Sequence, residues 1–231
     1  FLNGPTHSLK IVRALHKEFP HITFDFTAKV EHLIEQQELL NEFKECGCTF
    51  VVSAFESFSN EVLGQLNKGH TRQEIFEAIK IMNDVGIPIR PSLVAFTPWT
   101  TLDDYLDLLN CIRDLGLIEC VDPIQFSIRL LVPPHSALAL PRFAGEGVKW
   151  LNDLDQEHYT YHWSHPDPRM DELQHAVSQR VEEAAATTED IRLTFEAICS
   201  LAYQKAGLVL PAFENYSPST PIPRLSEAWF C

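Results

Sequence analysis

Several polar side chains stand where the predicted strands of this 231-residue chain end. The carboxylate of Glu56 could accept hydrogen bonds from hydroxyls or an amine, and Lys29, Arg129 and Lys68 could bind a carboxylate. Residues 96–99 (Phe-Thr-Pro-Trp) offer an aromatic and proline wall for a flat ring. Active sites of parallel α/β folds gather at such strand ends. The set suits a ligand with a ribose, a planar base and an amino-acid end, and it contains no nucleophile with a suitably spaced base.

Alternating strands and helices must position these side chains. Hydrophobic periodicity predicts strands at residues 22–27, 48–55, 87–96 and 123–132, with helices at 5–19, 30–46, 59–67, 71–86 and 101–116 between them. Such alternation predicts a parallel α/β sheet with right-handed crossovers. Part of a barrel is one interpretation and a doubly wound open sheet is the other. A Rossmann or P-loop site has no support, since neither glycine motif follows a strand.

Three of the four predicted strands carry a polar row opposite an apolar one. The polar rows contain Thr23, Asp25 and Thr27, then Arg90 and Ser92, then Gln125, Ser127 and Arg129. Unpaired buried charges are costly, so these rows predict a hydrated lumen that holds a polar ligand. The alternative is that a polar row belongs to an exposed edge strand.

Composition narrows the classes of partner and compartment. A formal net charge of −14 argues against binding to nucleic acid and to a membrane surface. No apolar run approaches the ~20 residues that a membrane-spanning helix needs. The six cysteines are scattered, which favours a reducing cytoplasm over a secreted disulfide framework. Because the chain starts at Phe1, in what reads as a strand end and turn, we expect a fragment that lacks its natural N-terminus.

The character of the sequence changes after residue 141, which divides the chain into regions 1–141 and 142–231. The second region is predicted to contain an aromatic loop at 158–168, helices at 170–186 and 188–207, and a proline-rich tail ending at Cys231. Within the loop, His162, His165 and Asp167 could bind a metal, although a rigid turn is the commoner use of such residues.

Two stretches of the first region resemble the radical SAM superfamily. They are FVVSAFES at residues 50–57, followed by NKGHT at 67–71, and the strand that runs into FTPWTT at 96–101. The ending PRLSEAWFC at 223–231 resembles the approach to the tail of the CUAEP/CCAEP-tail radical SAM proteins. In that group the tail cysteine has a second cysteine or selenocysteine beside it, so Cys231 would be half of a redox or metal-binding pair.

The resemblance implies a partial (β/α)6 TIM-like barrel, later strands only, followed by a helical segment and the tail. It implies a [4Fe–4S] cluster and cleavage of S-adenosylmethionine to a 5′-deoxyadenosyl radical. The family's C-x-x-x-C-x-x-C loop is absent from these residues, so the cluster cysteines are expected upstream of Phe1 and the fragment is expected to be inactive alone. The substrate stays open.

The resemblance also implies roles for single residues. Glu56 with Ser57 matches the ribose contact, Lys68 a cation for the methionine carboxylate, and Lys29 a further polar contact. Residues 96–98, with Phe96 and Pro98, match the adenine-facing turn, and the remaining cofactor-binding candidates are Arg90, Gln125 and Arg129. Relatives often carry Glu-Thr where this chain has Thr100-Thr101.

Two other classes of function stay open from the residues alone. One is a metal- or phosphate-dependent barrel lyase or hydrolase, which would need His, Asp or Glu clustered at strand ends. The other is a non-catalytic adaptor whose tail binds a partner.

Overall fold

A computed structural model of the protein describes residues 1–139, 150–213 and 222–223.

The helices end where the capping residues of the sequence predict. Thr71 and Glu74 each accept a hydrogen bond from the other's backbone amide at the start of one helix, and Gly86 ends that helix in the left-handed conformation, as predicted. The helices are α1 (Pro5–Glu18), α2 (Val30–Glu35), α3 (Gln37–Glu45), α4 (Asn60–Gln65), α5 (Arg72–Val85), α6 (Leu102–Asp114), α7 (Pro168–Thr187) and α8 (Ile191–Ala206).

Two compact units make up the chain. The first contains Phe1–Leu93, Asn110–Asp122 and Pro211–Cys231, and the second contains Val94–Leu109 and Pro123–Leu210. The division predicted at residue 141 falls on a position outside the described residues and stays a prediction.

The first unit contains a three-stranded parallel sheet in the order β1 (Phe24–Ala28), β2 (Cys48–Glu56) and β3 (Ile89–Leu93). The mixed α/β class with a parallel sheet is therefore confirmed, whereas closure into a barrel stays a prediction. On one face of β2, Val51, Ser53 and Phe55 are fully buried. On the other face, Val52 of β2 is paired with Thr27 of β1 on one side and with Arg90 of β3 on the other.

The polar residues on one face of β1 are exposed. Asp25 and Thr27 face solvent, while Phe26 and Ala28 between and after them are buried. Thr23 lies before the strand and is also exposed. This edge strand therefore fits the alternative of an exposed polar row.

The fourth strand predicted at residues 123–132 is wrong. Pro123–Phe126 forms a short 3-10 helix, and the rest of the segment makes an isolated parallel bridge between Phe96 and Arg129. Proline supplies no amide for a ladder, and the Ser127 hydroxyl donates to the Ile124 carbonyl 2.9 Å away, which stabilises the local turn.

The second unit holds an antiparallel hairpin of β4 (Leu151–Asp155) and β5 (Thr160–Trp163). The aromatic segment predicted as a loop at 158–168 is therefore partly a strand. Its Thr, Tyr and Trp residues are good strand formers, and the partner strand supplies the pairing that local patterns do not reveal. Helices α7 and α8 confirm the two predicted helices to within two or three residues at their ends.

None of the helices within the described ranges has both the length and the apolar character needed to cross a bilayer.

Candidate functional site

The end of β2 contains an irregular turn centred on Glu56. The pairing with β3 shifts register between Ala54 and Glu56, which is a β-bulge. Glu56 has φ 63°, and the Ser57 amide donates to the Phe55 carbonyl 2.8 Å away. This i to i+2 bond around a positive φ is typical of the rare classic γ-turn. Such strain costs about 1–3 kcal/mol and is found where a side chain must be directed to a site.

Lys68 is positioned by the C-terminus of α4. The Lys68 amide donates to Leu63 O at 3.1 Å and the Asn67 amide donates to Gly64 O at 3.0 Å. These two bonds, with Asn67 at φ 51°, form a Schellman motif. The backbone of Lys68 is therefore fixed by the helix that precedes it.

Glu56 and Lys68 form an ion pair. The Lys68 Nζ lies 2.8 Å from Glu56 Oε1, and the two side chains are 26% and 17% exposed, Lys68 being the more exposed. Glu56 does not cap α4, because the cap residue is Ser59, whose amide donates to the Ser57 hydroxyl at 3.1 Å. The residue predicted to contact the ribose, Glu56, and the one predicted to contact the methionine carboxylate, Lys68, therefore lie together. One oxygen of the Glu56 carboxylate is bonded to the Lys68 ammonium.

His70, two residues after Lys68, is buried and only 8% exposed. Its Nε2 is 3.3 Å from the Phe55 carbonyl oxygen. A carbonyl can only accept, so Nε2 carries the proton in this contact. Burial lowers the pKa of His70, with the charge of Lys68 acting in the same direction.

The lowered pKa of His70 gives a testable pH dependence. An unfolded histidine titrates near ~6.5, so between that value and the lower native pKa the unfolded state binds more protons. The free energy of unfolding should therefore fall as the pH is lowered from about 7 to 5. Urea unfolding of the protein and of His70→Gln measures this, and the variant should show the smaller decrease. An identical decrease in both would contradict it.

Lys29 directly follows β1, at the same edge of the sheet, and is the residue before α2. Its Nζ lies 3.0 Å from Glu31 Oε1, and its side chain is well exposed. Lys29 is therefore accessible but paired with its own neighbour, and the structure shows no contact between it and Glu56.

Arg90 does not lie at the strand end. It pairs with Val52, four residues before Glu56, which places it about 13 Å further down the sheet. Its guanidinium is 4% exposed, lies 2.6 Å from Asp122 and donates to Pro223 O at 3.4 Å. Asp122 was not among the predicted residues, because nothing local relates it to Arg90.

The second unit places Phe96 in its core. The ring is 1% exposed and lies 4.7 Å from the Tyr105 ring, and Pro98 is buried as well. The expected aromatic wall for a planar base is therefore wrong for the Phe96 ring. Thr97 and Thr100 instead close the turn with a hydroxyl contact of 2.8 Å.

Arg129 is held by three contacts within the second unit. It donates to Asp171 Oδ1 at 2.7 Å and to Trp163 O at 2.6 Å, and its guanidinium carbon lies 3.6 Å from the Trp163 ring centroid. These contacts join β5 to α7. Gln125 lies half-buried in the 3-10 helix. Since Ser127 bonds its own turn, these residues do not form the polar row of a strand.

The described residues do not supply a cluster or metal site. The cysteines at 46, 48, 111, 120 and 199 are buried and free of disulfides, and burial raises the pKa of the Cys48 thiol to about 12. No three His, Cys, Asp or Glu side chains in the described part could hold a metal. His162 contacts Asp155 and His165 contacts the Asp167 backbone, as expected for a turn. Cys231 lies outside the described residues.

Comparison with known proteins shows one superfamily to which part of the chain is similar. Residues 5–112 match the model of the radical SAM superfamily. This stretch, just under half of the chain, is similar to the radical SAM enzymes. A Methanocaldococcus jannaschii protein named "Putative methylthiotransferase" is 29% identical over 92 residues, which are 38% of this chain and 20% of that protein.

Solved structures share the fold. The cobalamin-dependent S-adenosylmethionine radical enzyme OxsB, with aqua-cobalamin and S-adenosylmethionine bound, superposes with a TM-score of 0.63 at 17% identity, over 76% of this chain and 31% of that one. The form with aqua-cobalamin alone gives 0.62 over the same shares. The chain thus spans about a third of OxsB and a fifth of the curated relative.

Proposed function

We propose that this chain is the C-terminal part of a radical SAM enzyme that binds S-adenosylmethionine at the carboxyl ends of β1 and β2. The observation that carries the proposal is the ion pair of Glu56 and Lys68, 2.8 Å apart, inside the stretch that matches the family. A carboxylate beside an ammonium suits a ligand that presents both hydroxyls and a carboxylate.

The residues of this chain hold and orient the cofactor. Glu56 would accept hydrogen bonds from the ribose hydroxyls through the carboxylate oxygen that Lys68 leaves available, with Ser57 beside it. Lys68 and Lys29 would neutralise the methionine carboxylate. When bound, S-adenosylmethionine supplies the radical chemistry, which asks little acid–base machinery of the protein.

The [4Fe–4S] cluster is proposed to be carried by another part of the same protein, because the described cysteines are buried and dispersed. The substrate would be a small molecule or a peptide, with no role for nucleic acid or membrane. Buried cysteines without disulfide bonds suit a reducing compartment, and we propose the cytoplasm. The relation of Cys231 to the CUAEP/CCAEP tail also stays a proposal.

The test of this proposal is formation of 5′-deoxyadenosine. The full-length protein, reconstituted anaerobically with iron and sulfide and reduced, is expected to release 5′-deoxyadenosine from S-adenosylmethionine. The 231-residue chain treated in the same way is expected to release none. Failure of a fully reconstituted protein to do so would contradict the radical SAM function.

A further inference from the structure

The carbonyl of Phe55 is shared by two donors at the base of the site. The Ser57 amide donates to it at 2.8 Å, across the γ-turn, and the His70 Nε2 donates to it at 3.3 Å. Glu56 lies between the carbonyl and the Ser57 amide. A strained turn persists only where its surroundings determine it. Lys68 bonds the Glu56 side chain of this turn, and His70, in the segment between α4 and α5, bonds the backbone of the turn.

We propose that His70 is a positioning residue for Glu56. Its neutral imidazole donates Nε2–H to the Phe55 carbonyl and holds the γ-turn that directs the Glu56 carboxylate toward Lys68. The Nε2 of this buried imidazole is bonded to the backbone of the turn, so His70 acts on Glu56 through the backbone. The consequence for cofactor binding rests on the proposed function, whereas the effect on the turn does not.

The segment that carries His70 is itself fixed at both ends. The Schellman motif holds Lys68, two residues before it. Immediately after it, the Thr71 amide donates to Glu74 Oε2 at 2.7 Å, and the Arg72 amide donates to Asn60 Oδ1 at 2.8 Å. These bonds tie the start of α5 to the start of α4. The imidazole therefore has a defined position from which to hold the turn.

Two substitutions separate the hydrogen bond from the bulk of the side chain. His70→Leu removes the donor and keeps a buried group, whereas His70→Gln keeps an N–H donor without the ring. The first readout is hydrogen exchange of the Ser57 amide. His70→Leu should accelerate it about tenfold relative to the Val51 amide, the size expected for one lost hydrogen bond, and His70→Gln should restore it to within about twofold. Val51 donates to Pro88 O at 3.0 Å and reports opening of the whole sheet.

The second readout is the affinity of the full-length, reconstituted protein for S-adenosylmethionine, measured by calorimetry. His70→Leu should weaken it about tenfold, and His70→Gln should recover most of the loss. Tyr105→Phe is the matched control, because it removes another buried bond to a carbonyl, Tyr105 Oη to Phe126 O at 2.9 Å. It should lower stability without changing Ser57 exchange or the affinity.

Unchanged Ser57 exchange in His70→Leu would overturn the positioning role, as would a failure of His70→Gln to restore it. Equal effects of Tyr105→Phe and His70→Leu on Ser57 exchange would also overturn it, because the effect would then be general destabilisation. If His70→Leu alters Ser57 exchange while Glu56→Ala leaves the affinity unchanged, the proposed cofactor site is wrong and the positioning of Glu56 stands.

Discussion

Replacing Glu56 with alanine is expected to weaken binding of S-adenosylmethionine by the full-length protein about 10- to 100-fold. Hydrogen bonds to a charged group contribute about 1.5–3 kcal/mol, and the variant loses those between the carboxylate and the ribose. It also leaves the Lys68 ammonium without the partner that lies 2.8 Å away. Calorimetric titration under anaerobic conditions measures the change.

Two further variants show whether such a loss comes from the carboxylate or from the fold. Glu56→Gly removes the carboxylate but adopts φ 63° without steric cost, so it should bind as weakly as Glu56→Ala and unfold no more easily. Glu61→Ala removes an exposed carboxylate of α4 that accepts from Gln65 at 2.9 Å, and it should bind normally. Normal binding by Glu56→Ala would remove Glu56 from the site.

Replacing Arg129 with leucine is expected to lower the free energy of unfolding of the second unit by about 2–4 kcal/mol. The Asp171 carboxylate would keep the His165 amide as a donor at 2.9 Å but lose the guanidinium, as would the Trp163 carbonyl. The stacking on the Trp163 indole would also disappear. Arg129 and Asp171 are 27% and 34% exposed, so solvent offsets part of the loss that a fully buried pair would show. Urea unfolding followed by tryptophan fluorescence measures it.

Lys205→Met is the matched control for Arg129. Lys205 lies 2.8 Å from Glu172, joining α8 to α7 in the same unit, but the Glu172 side chain is 66% exposed. Exposed pairs contribute at most about 1 kcal/mol, so this variant should unfold almost normally. Equal losses in both variants would contradict the account of Arg129 as the residue that joins β5 to α7.

Features with a local physical cause were predictable from the sequence. The capping box of Thr71 and Glu74, the stop at Gly86 and the three parallel strands all depend on residues that are neighbours in the chain. The same holds for the strand-end position of Glu56, whereas the cation twelve residues later was implied by the family resemblance. Local propensity and periodicity are sufficient for these elements.

Features that depend on distant partners were not predictable in the same way. The local pattern around Arg129 predicted a strand, whereas its side chain binds Asp171, which lies 42 residues away in the sequence. The buried rings of Phe96 and Tyr105 and the pairing of Arg90 with Asp122 likewise require the fold. The γ-turn could not be predicted from the residue type, because a positive φ is normally indicated by a glycine and this position holds Glu56. The role of His70 follows only from that turn.

A double-mutant cycle between the protein and its ligand tests the ribose contact of Glu56 most directly. The full-length, reconstituted protein and its Glu56→Ala variant are titrated with S-adenosylmethionine and with an analogue that lacks the 2′- and 3′-hydroxyls. If Glu56 binds the ribose, removing the hydroxyls weakens binding by the unaltered protein about 10-fold or more and has almost no effect on the variant. An equal loss in both proteins would show that the hydroxyls bind elsewhere and would contradict the account.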